Sequence, residues 1–282
     1  MTTVTDPLDP TSSLGGLIAV DIGNARMKFG WFADGSTAST ADHPVPEPDA
    51  VLQLDGRRPA FDRLAAWLNS HSGGLLRWLI GSVNRPTTTR LLDWVREHRT
   101  ADVARLLSSS DLALDVRGLE ADMVGVDRLI DAVAANALRR PGRAAVVVDV
   151  GTAVTVDLVD ADGAFRGGAI LPGIAMSARA LHEFTDLLPR LDMRDLGEPP
   201  PVLGRSTDDA MRAGLFWMAV GTIRELAARL VADQAEEPDL LISGGAGVAV
   251  ADLLGPRARH VPHLTLGGIA LSLGSVDWSD LA

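Results

Sequence analysis

The sequence predicts an α/β protein made of two duplicated domains, and three observations support this prediction. The segment Ile18–Gly35 is repeated in pattern, and partly in letters, by Val146–Gly163. Each copy is an apolar run ending in Asp, a Gly turn, a second strand-like run and another Gly turn, which indicates a β-hairpin leading into a third strand. After each hairpin, strand-like and helix-like stretches alternate. A chain of 282 residues has room for two such domains with a cleft between them.

The first half is predicted to continue with strand–helix units. Apolar spacing typical of a helix occurs in Phe61–Asn69 and in Thr88–His98, the latter after an N-capping entry. The apolar run Leu75–Val83 predicts a buried strand between them. The segment Ala38–Pro59 is rich in Pro and Asp and predicts an irregular connection. Further short strands are expected at Val103–Leu106 and Leu112–Val116.

The second half is predicted to begin with an amphipathic helix at Val126–Leu138, whose apolar residues fall on one face. The boundary is expected near Val116–Asp122, which gives domains at residues 16–117 and 118–282 after a flexible tail at residues 1–15. The remaining predicted elements are helices at Ile174–His182, Asp208–Asp233, Gly244–Leu254 and Leu264–Val276, and a strand at Leu240–Ser243.

Composition excludes several functional classes. A net charge of −11 argues against a nucleic-acid partner, because phosphate backbones are bound by basic surfaces. The chain has no Cys, which excludes disulfides, thiolate zinc sites and cysteine nucleophiles and agrees with a reducing cytoplasm. No secretory signal and no long uncharged apolar run is present, so no membrane span is expected.

The repeated aspartates are the first candidate site residues. Asp21 and Asp149 each end a strand-like run and are followed by a Gly and a polar residue, Asn24 or Thr152. A carboxylate beside a bend can coordinate a cation while backbone N–H groups bind phosphate oxygens, although either Asp alone could simply cap its turn. Lys28 is the sole lysine, and either a phosphate contact or a solubilising surface charge would explain it.

A second candidate is the segment Gly125-Val-Asp-Arg128, which opens a predicted helix. Asp127 could be a general base and Arg128 an anion-binding residue. Asp127 could also do no more than complement the helix dipole, and local sequence alone favours that interpretation. Phosphate-loop, dinucleotide-binding, zinc-protease and serine-hydrolase motifs are all missing from the sequence.

Six segments in this order resemble the type III pantothenate kinase family: DIGNARMKFG, GVDRLIDAVAAN, VVVDVGTAVTVD, GGAILPG, HEFTDLLPRL and GRSTDDAMRAGLFWMAVGTI. The resemblance extends from about Leu17 to the end of the chain. It implies an actin-like ATPase fold of two ribonuclease-H-like domains with a central cleft, and a cytoplasmic homodimer. It also implies phosphorylation of pantothenate by ATP, the first step of coenzyme A biosynthesis, with Mg²⁺ and a monovalent cation, K⁺ or NH₄⁺.

The resemblance also assigns roles to matching residues. Asp127 would be the general base, Asp149 would hold the monovalent cation, and Thr207 would contact pantothenate near the dimer interface. Asp21 would organise Mg²⁺ through the ATP phosphates. The ATP-binding set would be Asp21, Ile22, Gly23, Asn24, Ala25, Arg26, Met27, Lys28 and Thr152, and the pantothenate-binding set would add Gly125, Val126 and Arg128.

Two departures from the family pattern leave alternatives open. Ala25 stands where the family usually has Thr or Ser, which removes a hydroxyl from the phosphate site. The stretch Val116–Leu119, before the GVDR segment, lacks the aromatic residue that is often found there. The alternatives are a non-catalytic relative that acts as a transcription accessory or interaction protein, and a kinase of another small alcohol.

Overall fold

The structure is a computed structural model, and it describes residues 16–34, 36–71, 74–193, 198–234 and 236–278. The predicted N-terminal tail, residues 1–15, lies outside the described residues. The strands are β1 Leu17–Ile22, β2 Arg26–Phe32, β3 Ala50–Asp55, β4 Arg77–Ser82, β5 Val103–Leu106, β6 Ala145–Val150, β7 Ala153–Val159, β8 Phe165–Pro172, β9 Asp239–Ser243 and β10 Ala258–His260. The α-helices are α1 Phe61–His71, α2 Arg85–His98, α3 Val126–Leu138, α4 Ile174–Glu183, α5 Thr207–Leu230, α6 Gly247–Ala251 and α7 Leu264–Leu271.

The strands form two sheets of the same topology. In the first sheet the order is β3-β2-β1-β4-β5, and in the second it is β8-β7-β6-β9-β10. The first three strands in chain order pair antiparallel in each sheet, and the last two join them in parallel. This is the ribonuclease-H-like arrangement, and its repetition confirms the predicted duplicated α/β fold.

The chain divides into two compact units at places that differ from the predicted boundary. The first unit comprises the chain up to Leu114, Glu120–Leu138 and the segment from His263 onward, and the second comprises Asp115–Leu119 and Arg139–Pro262. Helices α3 and α7 therefore belong to the first unit. A boundary placed from sequence order alone could not include a C-terminal helix that returns to the first sheet.

Both faces of the first sheet are covered by helices. Side chains of β1 and β4 pack with α1 and α2 on one face, where Trp78 and Leu64 are fully buried. Helices α3 and α7 pack against each other and against β4 on the other face. The contact is close because Gly81 has no side chain: a Cβ there would lie 2.6 Å from Cδ1 of Ile130. Helix α7 is apolar and buried from Leu264 to Ala270, so it completes this core.

The core of the second unit is built from its own sheet and from helices α4, α5 and α6. Val146, Val148 and Val156 point into it and pack with Phe216 of α5 and Ile242 of β9. Helix α4 packs against α5. Within the described residues, no helix combines the length and the apolar character that crossing a membrane requires.

Most predicted elements are confirmed, and the bounds of α3 and β5 agree with the prediction. Two expectations were wrong and one strand was missed. The segment Ala38–Pro59 contains β3, so it is not wholly irregular; strand β10 was missed; and Leu112–Val116 forms no strand, since only Asp115 makes an isolated bridge there. The proposed last helix, Leu264–Val276, ends as an α-helix at Leu271 and continues as a 3-10 turn over Ser272–Ser275.

Candidate active site

The turn of the first hairpin presents the first group of candidate residues. Asp21 lies directly opposite Lys28 across β1 and β2, and the last pair of the hairpin is Ile22 and Met27. The turn between them is closed by a hydrogen bond from the Gly23 N–H to the Arg26 carbonyl, at 3.0 Å. The antiparallel register therefore places the sole lysine beside the aspartate, and Lys28 Nζ lies 3.5 Å from Asp21 Oδ2.

The Asp21–Lys28 pair is partly withdrawn from water. The Asp21 side chain is 14% exposed and that of Lys28 is 31% exposed. Burial raises the pKa of Asp21 above its ordinary value, and the attraction of Lys28 offsets only part of this effect. A further cation near Asp21 would stabilise the charged form of its carboxyl. A metal ion bound to a phosphate beside the turn would be such a cation.

The GVDR segment lies at the same edge of the first sheet as Asp21. Asp21 pairs with Gly81 of β4, and the N–H of Val83, two residues further on, donates to the Ile22 carbonyl at 3.1 Å. Gly125 packs against Val83, since a Cβ on Gly125 would lie 3.5 Å from Val83 Cγ1. The structure thus brings the ATP-loop candidates and the start of α3 to one edge of one unit.

Asp127 occupies the first turn of α3 and is half-buried. Its Oδ1 accepts the N–H of Arg128 at 2.9 Å, which is the helix-terminus role that local sequence predicts. The same oxygen would lie only 2.6 Å from a Cβ at position 125, so Gly125 is needed for this placement. The carboxylate also lies at the edge that carries Asp21, as a base acting beside a bound nucleotide would require.

The second hairpin repeats the geometry with different partners. Asp149 lies opposite Thr155 on β7 and beside Ser243 on β9. Gly244 follows β9 with a left-handed φ of 92°, and a Cβ there would lie 2.5 Å from Asp149 Oδ1 and from the backbone nitrogen and carbonyl oxygen of Val150. The Asp149 carboxylate and the backbone nitrogen and oxygen of Val150 thus pack against Gly244 at a distance that only glycine allows.

Thr152 and Thr207 are both exposed and both belong to the second unit. Thr152 lies in the hairpin turn after Asp149, and its carbonyl accepts the N–H of Gly173 at 3.1 Å. Thr207 is the first residue of α5, after the N-capping Ser206. A groove of about 550 Å³ runs along this helix start. It is lined by Pro200, Pro201, Leu203, Arg205, Asp209 and Arg212.

Some residues around the first turn were not predicted. Gly56, directly after β3, donates its N–H to the Ala25 carbonyl at 2.9 Å, and Arg90 of α2 donates to the Gly56 carbonyl at 2.9 Å. The alternating stretch Ala50–Asp55 followed by a Gly could have indicated a strand and a turn. Within the described ranges, no group of three or more His, Asp or Glu side chains gathers as a metal site.

The two sheets and their aspartate-tipped hairpins define a class of protein. Duplicated ribonuclease-H-like units of this kind form the actin-like ATPase fold, to which many kinases of small molecules belong. A solved structure assigned as a 2-dehydro-3-deoxygalactonokinase, from Sinorhizobium meliloti, matches with a TM-score of 0.52 at 16% identity over 93% of this chain and 99% of its own. A reductive activator for a corrinoid, iron–sulfur protein matches with a TM-score of 0.50 at 13% identity, over 92% of this chain and 60% of its own. These likenesses show the fold.

Sequence comparison narrows the class to one family. The profile of the type III pantothenate kinases matches residues 17–229. Type III pantothenate kinases of Alkalilimnicola ehrlichii and Gluconobacter oxydans are 33% and 34% identical, each over 90% of this chain and over 96% and 92% of their own lengths. The chain belongs to the type III pantothenate kinase family.

Proposed function

We propose that the protein transfers the γ-phosphoryl group of ATP to the 4′-hydroxyl of pantothenate, giving 4′-phosphopantothenate in the first step of coenzyme A biosynthesis. Family membership supports the reaction. The observation that carries it to particular residues is the position of Asp127, at the start of α3 and on the sheet edge that also holds Asp21 and Lys28.

Phosphoryl transfer needs positioning and charge neutralisation more than covalent chemistry. Asp127 would accept the proton of the pantothenate hydroxyl as that oxygen attacks the γ-phosphorus. Lys28 and the turn that follows Asp21 would hold the nucleotide phosphates. The family resemblance also assigns a phosphate contact to Thr152. Arg128 would bind the pantothenate carboxylate, since a guanidinium fork suits two carboxylate oxygens. Thr207 would contact the same substrate.

The site residues fit the cations that the family implies. Asp21 offers a single carboxylate, which suits a Mg²⁺ held mainly by phosphate oxygens and water. Asp149 offers a carboxylate, whose oxygens suit K⁺ and are also acceptors of the kind that NH₄⁺ requires. The bound cations would neutralise charge that develops on the phosphates.

We further propose a homodimer that works in the cytoplasm, where ATP is supplied. Large apolar side chains are strongly exposed on the second unit, among them Phe184 at 85% and Leu187 at 87%. Exposed apolar surface of this kind marks an interaction site, and a second copy of the chain would cover it. Light scattering of the wild type should give a molar mass twice that of one chain. The double variant Phe184→Ser, Leu187→Ser should lower the measured molar mass toward that of a single chain.

The test of the proposed reaction is a coupled assay of ADP release with Mg²⁺ and K⁺, run with and without pantothenate. Release that depends on pantothenate supports the proposal. Release with another small alcohol in its place would favour a different kinase of the same fold. A folded protein that releases no ADP with any alcohol would favour a non-catalytic relative.

A further inference from the structure

The turn of the first hairpin is held from outside the hairpin. The N–H of Gly56 donates to the Ala25 carbonyl at 2.9 Å. A Cβ on Gly56 would lie 3.2 Å from the carbonyl carbon and 3.3 Å from the carbonyl oxygen of Ala25, so the close approach depends on glycine. The segment after β3 therefore lies directly against the turn that would meet the nucleotide phosphates.

This segment, Asp55–Arg58, is itself a closed turn, and we call it the strap. Asp55 Oδ1 accepts the backbone N–H groups of Arg57 at 2.7 Å and Arg58 at 2.9 Å. These bonds, from Arg58 and Arg57, lower the pKa of the Asp55 carboxyl below its ordinary value. At neutral pH the carboxyl is therefore charged, and it accepts the two hydrogen bonds that keep the strap folded.

The strap is fixed to helix α2 by two side chains. The hydroxyl of Thr87, which is buried, donates to the Gly56 carbonyl at 3.0 Å. Arg90 donates through Nη2 to the Gly56 carbonyl at 2.9 Å and through Nη1 to the Arg57 carbonyl at 2.7 Å. Its Nη2 also lies 3.0 Å from the Thr87 hydroxyl oxygen, so the two side chains support each other.

The second unit shows what this arrangement replaces. Gly173, directly after β8, donates its N–H to the Thr152 carbonyl at 3.1 Å, as Gly56 does to Ala25. Its own carbonyl accepts the N–H of Ser177 at 2.9 Å, because α4 begins at the next residue. In the first unit the next helix begins only at Phe61. Arg90 and Thr87 therefore supply donors that a helix backbone supplies in the second unit.

We propose that Arg90, assisted by Thr87, is a positioning residue for nucleotide binding, and this rests on the proposed function of the first hairpin as an ATP loop. Arg90 holds the strap, the strap holds the Ala25 carbonyl, and the turn Gly23–Ala25 is thereby kept in one conformation before ATP arrives. A preformed loop binds phosphate more tightly because less conformational freedom is lost on binding.

The experiment compares Arg90→Ala with Arg96→Ala in the full-length protein. Arg96 is the matched control, because it belongs to the same helix but pairs on the surface with Asp93, at 2.6 Å. We expect Arg90→Ala to raise the Kd and KM for ATP about tenfold, the effect of losing two charge-assisted hydrogen bonds at an exposed site, while the KM for pantothenate stays within about twofold. Arg96→Ala should leave both values unchanged.

Two additional variants keep the test decisive if Arg90→Ala folds poorly. Arg90→Lys should recover only part of the ATP affinity, because lysine has a single nitrogen and lacks the planar fork that bonds the two carbonyls. Thr87→Val should weaken ATP binding in the same direction. Amide hydrogen exchange should be faster at Gly56 in all three variants and unaltered in Arg96→Ala.

Unaltered ATP affinity in Arg90→Ala would overturn the proposal, as would equal losses for both substrates together with a lower Tm, which would indicate a merely structural role. The Kd for ATP is measured without pantothenate. A wild type that binds ATP but does not phosphorylate pantothenate would therefore refute the proposed reaction and still leave the role of Arg90 to be decided by the same titration.

Discussion

The two hairpins have the same topology but place different residues opposite their aspartates. Asp21 lies opposite Lys28, whereas Asp149 lies opposite Thr155. The turns also differ in length: four residues separate Ile22 from its partner Met27, and the second turn is one residue shorter. The duplication has thus kept the carboxylate and changed the charge that faces it.

This difference indicates how the two units would divide the work. A lysine beside an aspartate adds positive charge for phosphates at the first hairpin. At the second hairpin the residue opposite Asp149 is a neutral threonine, and in the proposed site a monovalent cation would supply positive charge beside this carboxylate. The four predictions below test this division, from the largest expected effect to the smallest.

The largest effect is expected from Asp127→Asn, which removes the proposed base from the edge that holds Asp21. Turnover should fall by about a hundredfold or more, the usual consequence of losing a general base, while the Kd for ATP stays within about twofold. Steady-state kinetics and a nucleotide titration measure the two quantities. Near-normal turnover would leave Asp127 with only its helix-terminus role.

Asp21→Asn should reduce ATP-dependent turnover by about tenfold or more, because a charged group that organises the metal-bound phosphates is lost. The same variant should be more stable than the wild type at neutral pH. Since burial raises the pKa of Asp21, the folded state binds a proton at this carboxyl more readily than the unfolded state does. The stability that this group contributes is present at low pH and is lost as pH rises through the raised pKa.

The amide of Asp21→Asn removes this pH-dependent loss, so its Tm at pH 7 should be about 1–3 °C higher than that of the wild type. The difference should shrink toward pH 4, where more of the native carboxyl is protonated. Thermal melts at the two pH values measure it. A variant that is less stable at pH 7 would contradict the view that burial outweighs the Lys28 contact.

Thr155→Lys would make the second hairpin resemble the first. An ammonium opposite Asp149 should replace the monovalent cation, so activity without K⁺ should rise severalfold, by about three- to tenfold. Thr155→Val keeps the shape without the charge and should still require K⁺. Wild-type activity that is the same in K⁺ and Na⁺ would contradict the premise that Asp149 holds a specific monovalent cation. A Thr155→Lys variant that still needs K⁺ would contradict the proposal that a cation at the second hairpin takes the place of the lysine at the first.

The smallest effect is expected from Ala25→Thr, which restores a hydroxyl to the first turn. The KM for ATP should fall by about two- to fivefold, since one additional hydrogen bond contributes modestly to binding. Ala25→Val is a control of similar shape that adds no donor. An unchanged KM in Ala25→Thr would show that the missing hydroxyl does not limit phosphate binding here.

The sequence predicts the parts of this fold that have strong local patterns. The bounds of α3 could be read from its apolar face, and both aspartates from the repeat around Asp21 and Asp149. The sequence places Asp127 in the first turn of its helix. The choice between a general base and a residue that only complements the helix dipole depended on the family resemblance. The position of α3 beside the edge of β4 is a long-range contact that no local pattern specifies.

Other features were not predicted, because the local sequence pattern either indicated something else or gave no signal. The Pro and Asp content of Ala38–Pro59 hid β3, although its side chains alternate between exposed and buried. The repeat aligns without a gap, which matches Lys28 with Val156, yet the residue that faces Asp149 is Thr155 because the second turn is shorter. Arg90 carries no signal at all, since its partners are backbone carbonyls brought near by tertiary packing.

The return of α7 to the first sheet has a consequence for synthesis on the ribosome. Residues up to Pro262 suffice for the second unit, whereas the first unit also needs the chain from His263 onward. The face of the first sheet that α3 and α7 cover together is therefore only partly covered until α7 has left the exit tunnel. The part that is made first is finished last, and nascent chains shortened at the C-terminus would expose the apolar surface that chaperones bind.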